Sequence, residues 1–220
     1  MSKDTFWALI QEAKAACGQD MGAMEDCLRD RLVSMGPAAS KDFHDFLHAY
    51  EDLADQYGLW DAASVIKEYG CSDDGFIDFR AWLIAQGKDI YMNALKDPDT
   101  LADVEPYGGC CFECLSYVGD YAYKQLTGCS AYDEMEPDRM EKLRDELRKD
   151  IVYKDDIQYP RDPKDLPQFL PRLCEKYGGP ERFLVAPSTW NFDLHEIRWL
   201  LNEGKARDQA VQRKEGSGVR

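Results

Sequence analysis

The sequence predicts an all-α protein: a compact multi-helix domain with a C-terminal helical extension. Three observations carry this. Apolar residues recur at three- and four-residue steps in segment after segment, the period of a helix buried along one face. Glycine and proline fall between those segments, where helices stop and start. Strand-like alternation is nearly absent, with FLVA at Phe183–Ala186 the one short candidate. The 220 residues suit one domain with an appendage, and 44% apolar residues suffice for a packed core.

The elements follow in order. In DTFWALIQEAKAACG, Phe6, Leu9, Ile10, Ala13 and Cys17 share a face, and Gly18 is a natural stop. Met21, Met24, Leu28, Leu32 and Met35 mark a second helix, closed by Gly36-Pro37. The third carries Phe43, Phe46, Leu47, Tyr50, Leu53, Ala54 and Tyr57, with Ser40 as its expected cap. LWDAASVIKEY predicts a short helix ending at Gly70, and DPDTLADV another with Pro98 in its first turn. A helix is expected from about Cys111 to Thr127, where Gly119 allows close packing. Met140, Leu143 and Leu147 mark the next, with Asp138 as its cap. YKDDIQYPRDPKD is a polar connection, LPQFLPRLCEKYGG a short helix, and DLHEIRWLLNEG a final amphipathic one.

The segment YGCSDDGFIDFRAWLIAQG raises a choice between a calcium loop and a helix start. With Gly75 sixth and Ile77 eighth in a twelve-residue loop, the first ligand would be Gly70 and the last Ala81. Both fail as oxygen donors, leaving Ser72, Asp74 and Asp78, too few for a cation that takes six to eight ligands. A helix start explains the same residues. Ser72 caps the first free N–H groups, and Asp73 and Asp74 sit at the positive end of the dipole. Phe76, Phe79, Leu83, Ile90 and Tyr91 then predict one long helix to about Leu95, with Gly87 a tolerated weak point.

The pieces DTFWALI, GLWDAASVI, GCSDDGFIDFRAWLIAQGKDIY, ALKDPDTLADV and DYAYKQLTG, in that order, resemble a bacterial family known as domain of unknown function 4240. The resemblance spans roughly residues 4 to 128, with DIVYKDDIQYP and LPRLCEKYG as weaker continuations. Trp60, the SDDGF step and FRAWLI are its most specific part. It implies a predominantly helical fold and no particular reaction. GGCCFEC departs from the family pattern. The C-terminal WNFDLHEIRWLLNEGKARD also resembles the second helix and exit turn of an ankyrin repeat. One repeat cannot bury its own face, so this reads as an amphipathic helix on the main domain. The expected division is a helical domain over 1–130, a packed extension over 131–203 and a flexible basic tail over 204–220.

A formal net charge of -15 makes a polyanion an unsuitable partner, so nucleic acid is not expected. A basic protein partner suits the charge better. No secretory leader and no apolar run of membrane-spanning length is visible, so the expected location is cytoplasmic and the eight cysteines are expected to be reduced thiols.

Chemistry could reside in two clusters. GGCCFEC brings together Cys110, Cys111 and Cys114, with Cys111 and Cys114 in CxxC spacing. Structural zinc needs four such ligands and no second pair follows. A redox CxxC lacks its α/β context, and buried small side chains account for the same residues. His44 and His48, four apart in HDFLH, share a helical face on which Asp52 could add a third ligand. Both lie one step beside the apolar stripe, which predicts boundary histidines.

The expected function is a non-catalytic protein-interaction module with no cofactor, an immunity role against a basic toxin being its specific version. Its interaction or helix-cap motif is Trp60, Ser72, Asp73, Asp74, Phe76, Arg80 and Trp82. The alternatives are a thiol-based metal or redox protein centred on GGCCFEC and an enzyme using the acidic SDDGF segment.

Overall fold

A computed structural model describes residues 1–67 and 70–178. Ten α-helices form among them, and no strand does. The expected helix at DLHEIRWLLNEG, the FLVA strand and the basic tail lie outside the described residues.

Helix α1 (Lys3–Cys17) starts at Ser2, whose side chain accepts the N–H of Thr5, and stops at Gly18. Helix α2 (Met21–Met35) is capped in the same way by Asp20. Gly36 ends it, and Pro37 opens α3 (Pro37–Leu53), so Ser40 lies inside α3 rather than capping it. Its hydroxyl bonds the carbonyls of Leu32 and Gly36 instead, tying α3 to the end of α2. Helix α4 (Tyr57–Ile66) is shorter than the sequence suggests, because Lys67 is already extended.

The largest correction concerns Gly87. The expected single helix to Leu95 is two, α5 (Asp73–Ala85) and α6 (Lys88–Lys96). Gly87 has φ +97, a left-handed conformation that costs glycine little and breaks the helical ladder. The bend lets Tyr91 turn back into the core and donate its hydroxyl to the Tyr50 carbonyl at 2.6 Å. A 3-10 turn (Pro98–Asp103) and a left-handed run through Gly108, Gly109 and Cys110 lead to α7 (Glu113–Thr127). Helix α8 (Pro137–Arg148) follows, with Asp138 in its first turn rather than at the cap. LPQFLPRLCEKY forms two pieces, α9 (Leu166–Phe169) and α10 (Pro171–Tyr177).

Helix α3 is the axis. One side carries Phe43, Phe46 and Tyr50 into an aromatic cluster with Phe6, Trp7 and Tyr91, and the Trp7 indole N–H donates to the Tyr50 hydroxyl at 2.9 Å. The other side meets α7 and α8. Gly119 sets the α3–α7 distance: a Cβ there would stand 2.8 Å from backbone atoms of His44. The expectation of close packing at this glycine holds.

The chain beyond α8 returns to the same core. The Gly58 N–H donates to the Ile157 carbonyl at 2.7 Å, and Lys154 N–H to that of Leu95 at 2.9 Å. Buried Asp99 accepts the N–H groups of Arg172 and Leu173, supplying α10 with the partners its first turn lacks. Met140, Leu147, Ile157, Leu166, Leu170 and Leu173 join the core. No helix among the described residues is long and apolar enough to cross a membrane.

Candidate functional site: a polar seam beneath an acidic tyrosine face

Helix α3 is buried on its polar side as well as its apolar one. Ser40, Lys41, His44, Asp45 and Glu51 are all buried. Burying charge requires pairing, and most of these groups are paired. Lys41 Nζ lies 2.5 Å from Asp45 Oδ1. Arg139, from α8, reaches Asp42 at 2.6 Å and Asp45 at 3.2 Å. The N-terminal amine also contacts Asp42.

One turn further along, the seam changes character. His48 Nδ1 lies 2.8 Å from Glu51 Oε2. Glu51 Oε1 accepts the Ser116 hydroxyl of α7 at 2.5 Å. His44 is fully buried against Gly119, which corrects the boundary reading made for it; His48 is half-buried. The two imidazoles stand edge to face, ring centroids 4.4 Å apart. Tyr132 lies against both, at 4.4 Å and 5.3 Å. His44 Nδ1, His44 Nε2 and His48 Nε2 are buried without a hydrogen-bond partner among the described residues. Burial, helped by His48 and Lys41, lowers the His44 pKa to about 3, so the ring is neutral at ordinary pH. Burial and the Glu51 charge likewise keep the Tyr132 phenol protonated.

A cavity of about 330 Å³ opens beside His48, lined by Asp52, Tyr132, Met135, Pro137, Met140 and Arg144. Asp52 is bonded to Arg144 at 2.7 Å across it, and so is not available as a third histidine partner. A carboxylate-held imidazole is the arrangement of a general base or a metal ligand. No metal set converges here: among the described residues, no group of three or more His, Cys, Asp or Glu side chains could hold an ion. A hollow of about 540 Å³ elsewhere is lined by Lys14, Gln86, Asn93, Thr100 and Tyr107. Its amine is engaged by the Gln86 carbonyl at 2.6 Å, and it lacks a dyad of this kind.

Above the seam, α7 presents Tyr117 and Tyr121, stacked at 6.0 Å. Tyr121 is 45% exposed and Tyr132 39%, enough to offer ring faces to a partner. Carboxylates crowd the same region. Burial, then Glu113 and Asp74, raise the Asp78 pKa. No ion pair among the described residues involves Asp74, Asp78 or Glu113.

The motif residues singled out in the sequence gather at the α4–α5 junction. Ser72 caps α5 by accepting the Gly75 N–H at 3.0 Å, and Asp73 and Asp74 are exposed in the first turn. Trp60 donates its indole N–H to the Cys71 carbonyl at 2.8 Å and stacks on buried Phe76 at 5.2 Å. Arg80 lies over the Phe76 ring and donates to the Glu51 carbonyl at 3.1 Å. Trp82 is buried deeper in α5. The thiols diverge: Cys110 is buried, Cys111 half-buried and Cys114 exposed. Sequence reasoning missed Glu51, Ser116 and Tyr132. Only Glu51 had a local signal, standing three residues after His48 on the same helix face.

A family model described as "Protein of unknown function (DUF4240)" matches residues 1–125. No curated protein and no solved structure matches the chain.

Proposed function

Since the chain belongs to the DUF4240 family, whose description carries no activity, we propose from its own surface that it is a protein-interaction module for a basic partner. The observation behind this is the tyrosine face of α7 and Tyr132, flanked by the carboxylates Asp74, Asp78 and Glu113, which form no ion pair among the described residues. Crowded like charges gain when a cation approaches, and exposed tyrosines supply contact area at low entropic cost. Tyrosine is enriched where interfaces form, and arginine pairs with both aromatic faces and carboxylates. Neutralisation of a basic toxin is a narrower form of the same reading.

The test compares the native protein with the triple variant D78N/E113Q/Y121A as affinity bait against extract of the source organism. Polylysine serves as the control for unspecific charge. A protein held by the native bait, released by added salt and lost with the variant supports the proposal. Equal retention by both baits, or the same salt profile as polylysine, counts against it.

A further inference from the structure

Lys67 ends α4 and turns its side chain inward. Its ammonium donates to the Gly75 carbonyl at 3.0 Å and to Cys111 Sγ at 3.0 Å. No ion pair with a carboxylate is formed by Lys67 among the described residues. A half-buried cation needs a counter-charge. Three sulfurs face it from two sides: Cys71 before α5, and Cys110 and Cys111 before α7. A Cβ built on Gly75 would lie 3.4 Å from Lys67 Nζ and 3.7 Å from Cys71 Sγ, so amine and thiol share one small space. Asp78 is the carboxylate that also senses Lys67.

We propose that Cys111, held against the Lys67 ammonium, is a hydroperoxide-sensitive thiol that oxidises ahead of the more exposed cysteines. Thiolates react and thiols do not, so a neighbouring ammonium and partial exposure are the features that select a reactive cysteine. Cys111 has both. It also stands two residues before the start of α7, at the positive end of that helix, although Glu113 opposes this. The other thiols differ. Cys110 is buried, and its burial raises its pKa to about 12 against the pull of Lys67. Cys114 is exposed, but residual burial and the Glu25 and Glu113 carboxylates raise its pKa. Burial works against the Lys67 charge, yet the bond to Cys111 and the nearby Cys71 and Cys110 sulfurs outweigh it, so the amine stays a cation.

The reaction balances with a hydroperoxide as the oxidant. The Cys111 sulfur attacks one peroxide oxygen, an S–O bond forms and the O–O bond breaks. Sulfur loses two electrons, and the peroxide gains them. The thiol proton ends on the departing oxygen, giving water or an alcohol and a sulfenic acid at Cys111.

The test treats the full-length native protein with limiting hydrogen peroxide and traps sulfenic acid with dimedone. Fragmentation then assigns the site within the tryptic peptide that holds Cys110, Cys111 and Cys114. The expected result is label on Cys111 first. K67M should slow it by about tenfold, by removal of the adjacent charge, and K67R should restore most of the rate. Labelling that follows exposure, with Cys114 and Cys129 ahead, would overturn the proposal in the native protein alone. An unchanged Cys111 rate in K67M that still folds, judged by circular dichroism, would overturn it as well.

Discussion

Replacing Gly119 by alanine sets two effects of opposite sign against each other. In a helix the change gains about 1 kcal/mol, because glycine loses more backbone freedom on folding. In this fold the new methyl would stand 2.8 Å from the N, Cα and Cβ atoms of His44. Ordinary contact begins near 3.4 Å, so something must move by over half an ångström. The atoms in the way are backbone and a Cβ, which no rotamer change can withdraw. Helices α3 and α7 must separate, and α3 also carries the aromatic cluster on its far side. Overpacking of this kind costs about 1–3 kcal/mol, and a rigid obstacle places it at the top of that range. The net is a loss of about 2 kcal/mol. For a chain of this size that lowers Tm by about 4–8 °C. Urea unfolding followed by far-ultraviolet circular dichroism measures it. Gly22, exposed in α2 with its nearest neighbour atom 3.6 Å from an added Cβ, is the comparator. G22A should be neutral or slightly stabilising. A G119A protein as stable as the native one would mean that α3 and α7 do not meet as closely as described.

Other outcomes follow from the same structure. His44 is neutral in the fold down to pH about 3 and ordinary, at 6.5, when unfolded. Its share of stability is therefore complete above pH 6.5 and is lost as pH falls toward 3, at about 1.4 kcal/mol per unit. Urea titrations at pH 6.5 and 5 should show a loss on the order of 2 kcal/mol that H44F lacks; equal pH slopes for both proteins would show that His44 does not titrate this way. S72A should cost about 1 kcal/mol through loss of the α5 cap and leave partner capture unchanged, whereas a binding defect without a stability change would make Ser72 part of the interface. E51Q keeps the shape of the His48 contact but removes the charge. Loss of the charged acceptor that holds His48 Nδ1 and the Ser116 hydroxyl should cost about 1–2 kcal/mol in urea unfolding, and an unchanged stability would show that Glu51 does not hold this ring.

Much of the helical order was legible because it is local. Gly18 stopping α1, Ser72 capping α5 and the acidic first turn after it depend on residues a few positions apart. Gly87 was misjudged for a physical reason. Apolar spacing continues across it, and periodicity alone does not reveal that a left-handed residue aims the next helix in a new direction. The helical fold and the family membership are thus within reach of the residues read in order.

The site was less legible, because its parts are far apart in the chain. Ser116 meets Glu51 across 65 residues, and Cys111 meets Lys67 across 44. A single apolar stripe on α3 suggested histidines at its boundary, but a helix enclosed by α1, α2, α5, α7 and α8 has little boundary, and His44 became core. Likewise, CxxC spacing drew attention to Cys114, while the fold gave Cys111 a lysine from another helix as its neighbour. Sequence alone determined where helices begin, which faces are apolar and how acidic the chain is, since these follow from local propensity and composition. Tertiary structure decided which polar groups are buried together, because burial and charge pairing depend on what the rest of the chain brings alongside.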